Sequence, residues 1–227
     1  MNLIGLDISI TSTAMSIESN GIIKLFNYTT HKSNIVWIKS VQDLITFRFI
    51  QYKKIEDYSD YEMYKLQEYD SITNLILSDI LNNIDKSKPT KVNIEGYSYS
   101  SNTNSIIDIV CYSTLLRQKI YNHVSKDIHI IPPKTVKIQT SVKVYGYQPA
   151  PIGKNGKTLK DPMVTCNNDG VKGGDFEKKD MLNAMLDGNY YNPIYDYVKE
   201  NKDSLLSLKT MPKPFDDVID SILIMKL

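Results

Sequence analysis

The sequence predicts a mixed β-sheet flanked by helices, within the α/β or α+β class. Three observations carry this expectation. Residues 1–30 read as three short strands joined by tight turns. Further on, apolar positions recur at helical spacing in several segments, and short apolar runs lie between those segments. The resulting order is βββ-α-β-α-β-α.

Residues 2–9 form the first strand, because Leu3, Ile4, Leu6 and Ile8 are too densely apolar for a surface strand. Residues 12–18 alternate, and Ser19-Asn20-Gly21 signals a tight turn into a third strand over 22–28. Residues 33–60 are ambiguous, with room for an inserted helix. Leu66, Tyr69, Ile72, Ile76 and Ile80 place a helix over 62–84, and Pro89 closes that region before a strand at 91–95. A helix over 104–121 aligns Ile107, Cys111 and Leu115 on one line. Another short strand, 128–131, stops at Pro132-Pro133. Residues 145–175, rich in glycine and proline, read as a long loop, a kind that is commonly functional. Helices resume over 176–186 and 193–200, and the last begins near Pro214, whose fixed φ suits a first helical position.

Composition narrows the function classes. A 227-residue chain of 26.0 kDa with 41% apolar residues can bury a substantial core in one domain with insertions. Its apolar runs are too short to span a bilayer. The first strand begins almost at Met1, leaving no room for a targeting segment, and Cys111 and Cys166 make no disulfide framework. An intracellular, cytoplasmic protein with reduced thiols is expected. The net charge of +1 hides an uneven distribution. Lys134, Lys137, Lys143, Lys154, Lys157 and Lys160 follow one another without an acid, whereas 56–70 is strongly acidic. A basic segment of this kind is either a solvated loop or a surface for phosphate.

The chemistry lies in four carboxylates. Asp7 stands inside the first strand, Glu95 ends a later one, and Asp217 and Asp220 ride on the last helix. A buried carboxylate is costly unless it is paired or holds a metal. Asp217 and Asp220, at i and i+3, project about 60° apart and repel one another unless a cation lies between them. Asp216, near the helix start, reads as a cap. Oxygen-only ligands suit Mg²⁺, with Mn²⁺ able to substitute, and there is no His/Cys cluster to favour Zn²⁺. Two such ions, bridged by Asp7, can clamp the attacking water and the leaving oxygen of a phosphodiester.

These segments resemble the RuvC-like Holliday junction resolvases of the RNase H-like superfamily, especially those of phages and large DNA viruses. Gly5-Leu6-Asp7-Ile8-Ser9-Ile10-Thr11-Ser12-Thr13 is similar to the first motif, with Ala14 where a glycine is usual. Ile94-Glu95-Gly96-Tyr97 is similar to the second, and Asp216-Asp217-Val218-Ile219-Asp220-Ser221 to the closing Asp-x-x-Asp. Pro133-Lys134-Thr135-Val136-Lys137 and Glu177-Lys178-Lys179-Asp180-Met181 resemble the two lysine motifs, with Lys178 and Lys179 equally placed for the second. Residues 38–60 and 145–175 are insertions in the resemblance.

The resemblance implies a single RNase H-like domain over 1–227. Its mixed sheet has five strands, an antiparallel meander followed by parallel strands. It also implies a homodimer that nicks a four-way DNA junction symmetrically, using two metal ions held by Asp7, Glu95, Asp217 and Asp220. Lys137 with Lys178 or Lys179 would act on the scissile phosphate. Tyr97 and Tyr99 would stack on bases, although either also suits a core. The lysine run would hold flanking DNA. Rival readings are a looser flap or branched-DNA nuclease, an actin-like or sugar-kinase ATPase, and a junction-binding protein without catalysis. The ATPase reading suffers from the absence of a second glycine-rich phosphate hairpin.

Overall fold

The computed structural model describes residues 1–97, 103–146, 176–213 and 215–227, with backbone alone for residues 103–105. Tyr99, Lys154, Lys157, Lys160, Pro214 and all but the first two residues of the 145–175 stretch lie outside the described residues.

Three strands, β1 (Asn2–Asp7), β2 (Ser12–Ser19) and β3 (Ile22–Thr29), form the expected antiparallel meander. The β2–β3 turn is tight because Asn20 and Gly21 take φ of 55° and 77°, the left-handed region that these two residue types tolerate. At the other hairpin, Thr13 donates from Oγ1 to the Ser9 carbonyl at 2.7 Å, while Ser9 Oγ accepts from the Ser12 amide at 3.2 Å. Residues 33–60 hold a short helix, α1 (Val36–Ser40), and a strand, β4 (Thr46–Phe49), that adds to β3 in parallel. The sheet therefore has six strands where five were expected. Two further strands, β5 (Thr90–Glu95) and β6 (Ile128–Ile131), run parallel to β1 and give the order β4-β3-β2-β1-β5-β6. Without its edge strand β4, the sheet has the expected five strands, an antiparallel meander followed by parallel strands.

Helices cover both faces. On one lie α2 (Tyr58–Asn83) and α3 (Thr103–His123). Ile4, Leu6, Met15, Phe26 and Ile94 of the sheet pack there against Ile76 and Ile80 of α2 and Leu116 and Ile120 of α3. Asp79 of α2 is buried with a full set of partners: Tyr28 donates from its hydroxyl at 2.8 Å and Arg48 from Nη2 at 2.8 Å. This pairing ties α2 to β3 and to the added strand β4. In α3 the inward residues are Tyr112, Leu116 and Ile120, whereas Ile107 and Cys111 face outward. Of the line picked out by periodicity, Ile107 and Cys111 are thus exposed, and Leu115 is partly buried against the core.

The opposite face carries α4 (Pro133–Tyr145), α5 (Lys178–Asp187), α6 (Tyr195–Glu200), α7 (Lys202–Ser207) and α8 (Phe215–Met225). Every residue of α8 is buried, so the helix is a core element with sheet beneath it and α5 over it. Small and polar sheet residues let it approach closely. A Cβ on Gly5 would stand 2.1 Å from the Ser221 carbonyl oxygen, a distance no side chain could occupy. Ser16 donates to that carbonyl at 2.7 Å, and Asn93 Nδ2 donates to the Ile224 carbonyl at 2.9 Å. These two contacts set the height of α8 along the sheet.

Candidate active site

With Ser221 fixed over Gly5, the preceding turn of α8 comes to the C-terminal end of β1, where Asp7 sits. Side-chain alternation puts Asp7 on the same face as Gly5, and Glu95 on the same face as Asn93. Residue Leu6 pairs with Ile94, so Asp7 and Glu95 end neighbouring parallel strands. Four acids from distant sequence positions are thereby gathered at the C-terminal end of the central strands β1 and β5. Asp7, Asp217 and Asp220 are each at least nine-tenths buried, and Glu95 is half-buried.

The acids feel one another. Burial raises the pKa of Asp7 well above the ordinary carboxylate value, and the charges of Glu95, Asp217 and Asp220 raise it further. Burial likewise pushes Asp220 up to about 7, opposed by Lys178 and assisted by Glu95 and Asp217. Asp217 is also raised, first by burial and then by Asp216, with Lys213 opposing. So much negative charge in one dry place calls for cations.

Two lysines supply part of the positive charge. Lys178, at the start of α5, donates from Nζ to Asp220 Oδ2. Burial works against its charge, but Asp220 and Asp7 outweigh burial and raise its pKa. Lys179, the next residue, turns away and donates to the Leu206 carbonyl at 2.6 Å. The sequence left these two lysines equivalent; the structure brings Lys178 to the acids. Lys213, which the motifs do not include, bridges Asp216 Oδ2 at 2.9 Å and Asp217 Oδ1. Asp216, read from sequence as a cap, is itself buried and belongs to this ion-paired group. Ser12 is a further residue missed, buried and near enough to Asp217 to oppose the rise of its pKa. Its place in the first hairpin and the i, i+3 and i, i+4 spacing from Lys213 to the two aspartates were the available signals.

The remaining sequence candidates are dispersed. Lys137 shares with Lys178, Lys179, Lys209 and Asp216 a cavity of about 430 Å³ next to the acids. Lys134 is exposed on the first turn of α4. Lys143 donates to the Lys226 carbonyl at the end of α8 and is not in that cavity. Tyr97 accepts a hydrogen bond from Arg117 Nη1 at 2.9 Å, with the guanidinium 4.6 Å from its ring centroid.

No family model matches this sequence, and no curated protein does. Among solved structures, T. thermophilus RuvC in complex with a Holliday junction substrate is 9% identical, with a TM-score of 0.47 over 99% of this chain and 90% of that chain. A second Thermus thermophilus RuvC structure is 12% identical, with a TM-score of 0.44 over 99% and 91%.

A divalent cation suits the donor set. Among the described residues, no three acidic, histidine or cysteine side chains are arranged to hold one ion as they stand. Yet Asp216 Oδ1, Asp217 Oδ2 and Asp220 Oδ1 are buried oxygens without a hydrogen-bond partner. Unpartnered buried carboxylate oxygens are costly, and a hard cation accepts just such ligands.

Proposed function

We propose that this protein is a metal-dependent, structure-selective endodeoxyribonuclease that resolves four-way DNA junctions by paired nicks. A single observation carries the reading: Asp7, Glu95, Asp217 and Asp220 meet at one end of the sheet with an ammonium, Lys178, among them. Each of the four occupies its place in the motif order read from the sequence, over one nuclease unit spanning 1–227. Asp7, Glu95, Asp217 and Asp220 would hold two Mg²⁺ or Mn²⁺ ions. Bound ions supply an activated water and charge stabilisation at the phosphodiester.

The chain's own residues do the rest. Asp7 is held rigidly, since β1 is hydrogen-bonded on both sides and the Ser9 to Thr13 turn closes the adjoining hairpin. Lys178 offers its positive charge where charge develops on the phosphate, and Asp220 and Asp7 keep it ionised. Lys137 and Lys209 line the adjoining cavity and would meet the flanking backbone, so binding should weaken steeply with salt. Tyr97, braced by Arg117, would stack on a base beside the cut.

Paired nicks require two sites, and the outward groove between α2 and α3 suits a second copy of the chain. Leu66 and Ile107 are more than half exposed there, flanked by Glu62, Lys65 and Asp108. Charges of both signs around an apolar strip favour self-complementary, two-fold contact.

The test compares a synthetic mobile four-way junction with flaps, Y-forks and linear duplex, in Mg²⁺ and in EDTA. Paired Mg²⁺-dependent nicks on the junction are the expected result. Equal cleavage of flaps would replace the resolvase by a looser branched-DNA nuclease. Asp7→Asn should abolish cleavage while leaving the protein folded; cleavage that survives would overturn the metal-site reading.

A further inference from the structure

Lys213 stands where an ammonium and a divalent cation would claim the same carboxylate. Its Nζ bridges Asp217 Oδ1 and, at 2.9 Å, Asp216 Oδ2. Both aspartates are more than nine-tenths buried, and each has a second oxygen without any partner. Lys213 itself lies just ahead of α8 with its side chain 38% exposed. It reaches inward from a wetter position and has room to withdraw.

We propose that Lys213 is a resident counter-ion that competes with the divalent cation for Asp217, and that Asp216 is the carboxylate which retains the lysine when Asp217 is given up. The inference rests on the metal-site reading of the preceding subsection. It assigns distinct tasks to two adjacent aspartates. Asp217 lies among the acids, where its charge raises the pKa of Asp7. Asp216 instead lines the lysine-rich cavity with Lys137 and Lys209. Lys213 touches both and can release one without losing the other. Two charges in a dry site cannot be stripped of counter-ions cheaply, so a standing ammonium keeps the metal-free site folded. The same ammonium raises the metal concentration needed to fill it.

The two residues should then act on metal affinity in opposite directions. Mn²⁺ binding to the full chain, followed by electron paramagnetic resonance or calorimetry, reads this without any cleavage assay. Lys213→Met removes the competitor, and Mn²⁺ should bind roughly tenfold more tightly. Asp216→Asn leaves Asp217 as the lysine's sole anchor, and Mn²⁺ should bind more weakly. The double variant should bind like Lys213→Met. In EDTA the melting temperature of Lys213→Met should fall, and Mg²⁺ should restore it by a larger shift than in the unaltered protein. If Lys213→Met does not fold in EDTA, Lys213→Gln provides the same comparison. Unchanged or weaker Mn²⁺ binding on loss of Lys213, with normal binding to the unaltered protein, overturns the counter-ion role alone. An unaltered protein that binds no Mn²⁺ overturns the metal-site reading and this inference with it.

Discussion

Lys178 turns its ammonium to Asp220 while Lys179 donates to the Leu206 carbonyl at the end of α7, so neutralising each tests a different contact. Lys178→Met should lower cleavage by about 10²-fold or more, the usual cost of losing one preorganised charge at a reacting centre. Lys179→Met should lower melting temperature more than turnover. Equal catalytic losses would mean that α5 rotates when DNA binds. The acids themselves predict a pH dependence for metal-free protein. Folding raises the pKa of Asp220 from 3.8 to about 7, chiefly by burial, and raises Asp7 and Asp217 too. A carboxyl group that holds its proton more tightly when folded adds stability below its unfolded pKa and loses that contribution as pH rises. In EDTA the melting temperature should therefore fall between about pH 4 and pH 7. The fall should shrink in Asp220→Asn; an identical slope in that variant would contradict the assignment.

The close seating of α8 on the sheet makes Gly5 the most sensitive position among the elements. Gly5→Ala would press a methyl group into the Ser221 carbonyl and the Met225 amide, both backbone atoms that cannot step aside. A loss of at least about 3 kcal/mol in denaturant unfolding is expected. Since α8 must rise to make room, Asp217 and Asp220 should also move from Asp7, so metal affinity should drop in whatever fraction stays folded. The same elements show what was legible beforehand. The β1 to β3 meander, both later strands and the long helices were readable, because turn chemistry and apolar periodicity are local signals. Strand β4 was not, since Thr46-Phe47-Arg48-Phe49 is short, only partly buried and held by the distant Arg48 to Asp79 pairing. The outward facing of Ile107 and Cys111 was equally hidden, because periodicity finds an apolar stripe without saying what covers it. Of the site, the motif positions Asp7, Glu95, Asp217 and Asp220 were visible. Lys213 and Ser12 were not, as each matters only through a nearness to Asp217 that the fold creates.

For the whole molecule, the proposed symmetry follows from the groove between α2 and α3. Leu66→Lys or Ile107→Lys should convert a dimer to a monomer in sedimentation while leaving the circular dichroism spectrum unchanged. Single nicks should then replace paired ones; a variant that stays dimeric would place the interface elsewhere. The hydrogen bond from Ser16 to the Ser221 carbonyl has one more consequence, and it concerns time. It joins residues 205 positions apart, and the carboxylate group is divided between β1 and α8 across a similar span. Closing so long a loop is slow relative to forming local hairpins and helices. During synthesis the strand bearing Asp7 emerges early, and the helix bearing Asp217 and Asp220 emerges only after more than two hundred residues have been made. A half-made chain thus carries no complete set of the four carboxylates. On the proposed nuclease reading, the capacity to break DNA would arrive only once α8 has been made and seated on the sheet.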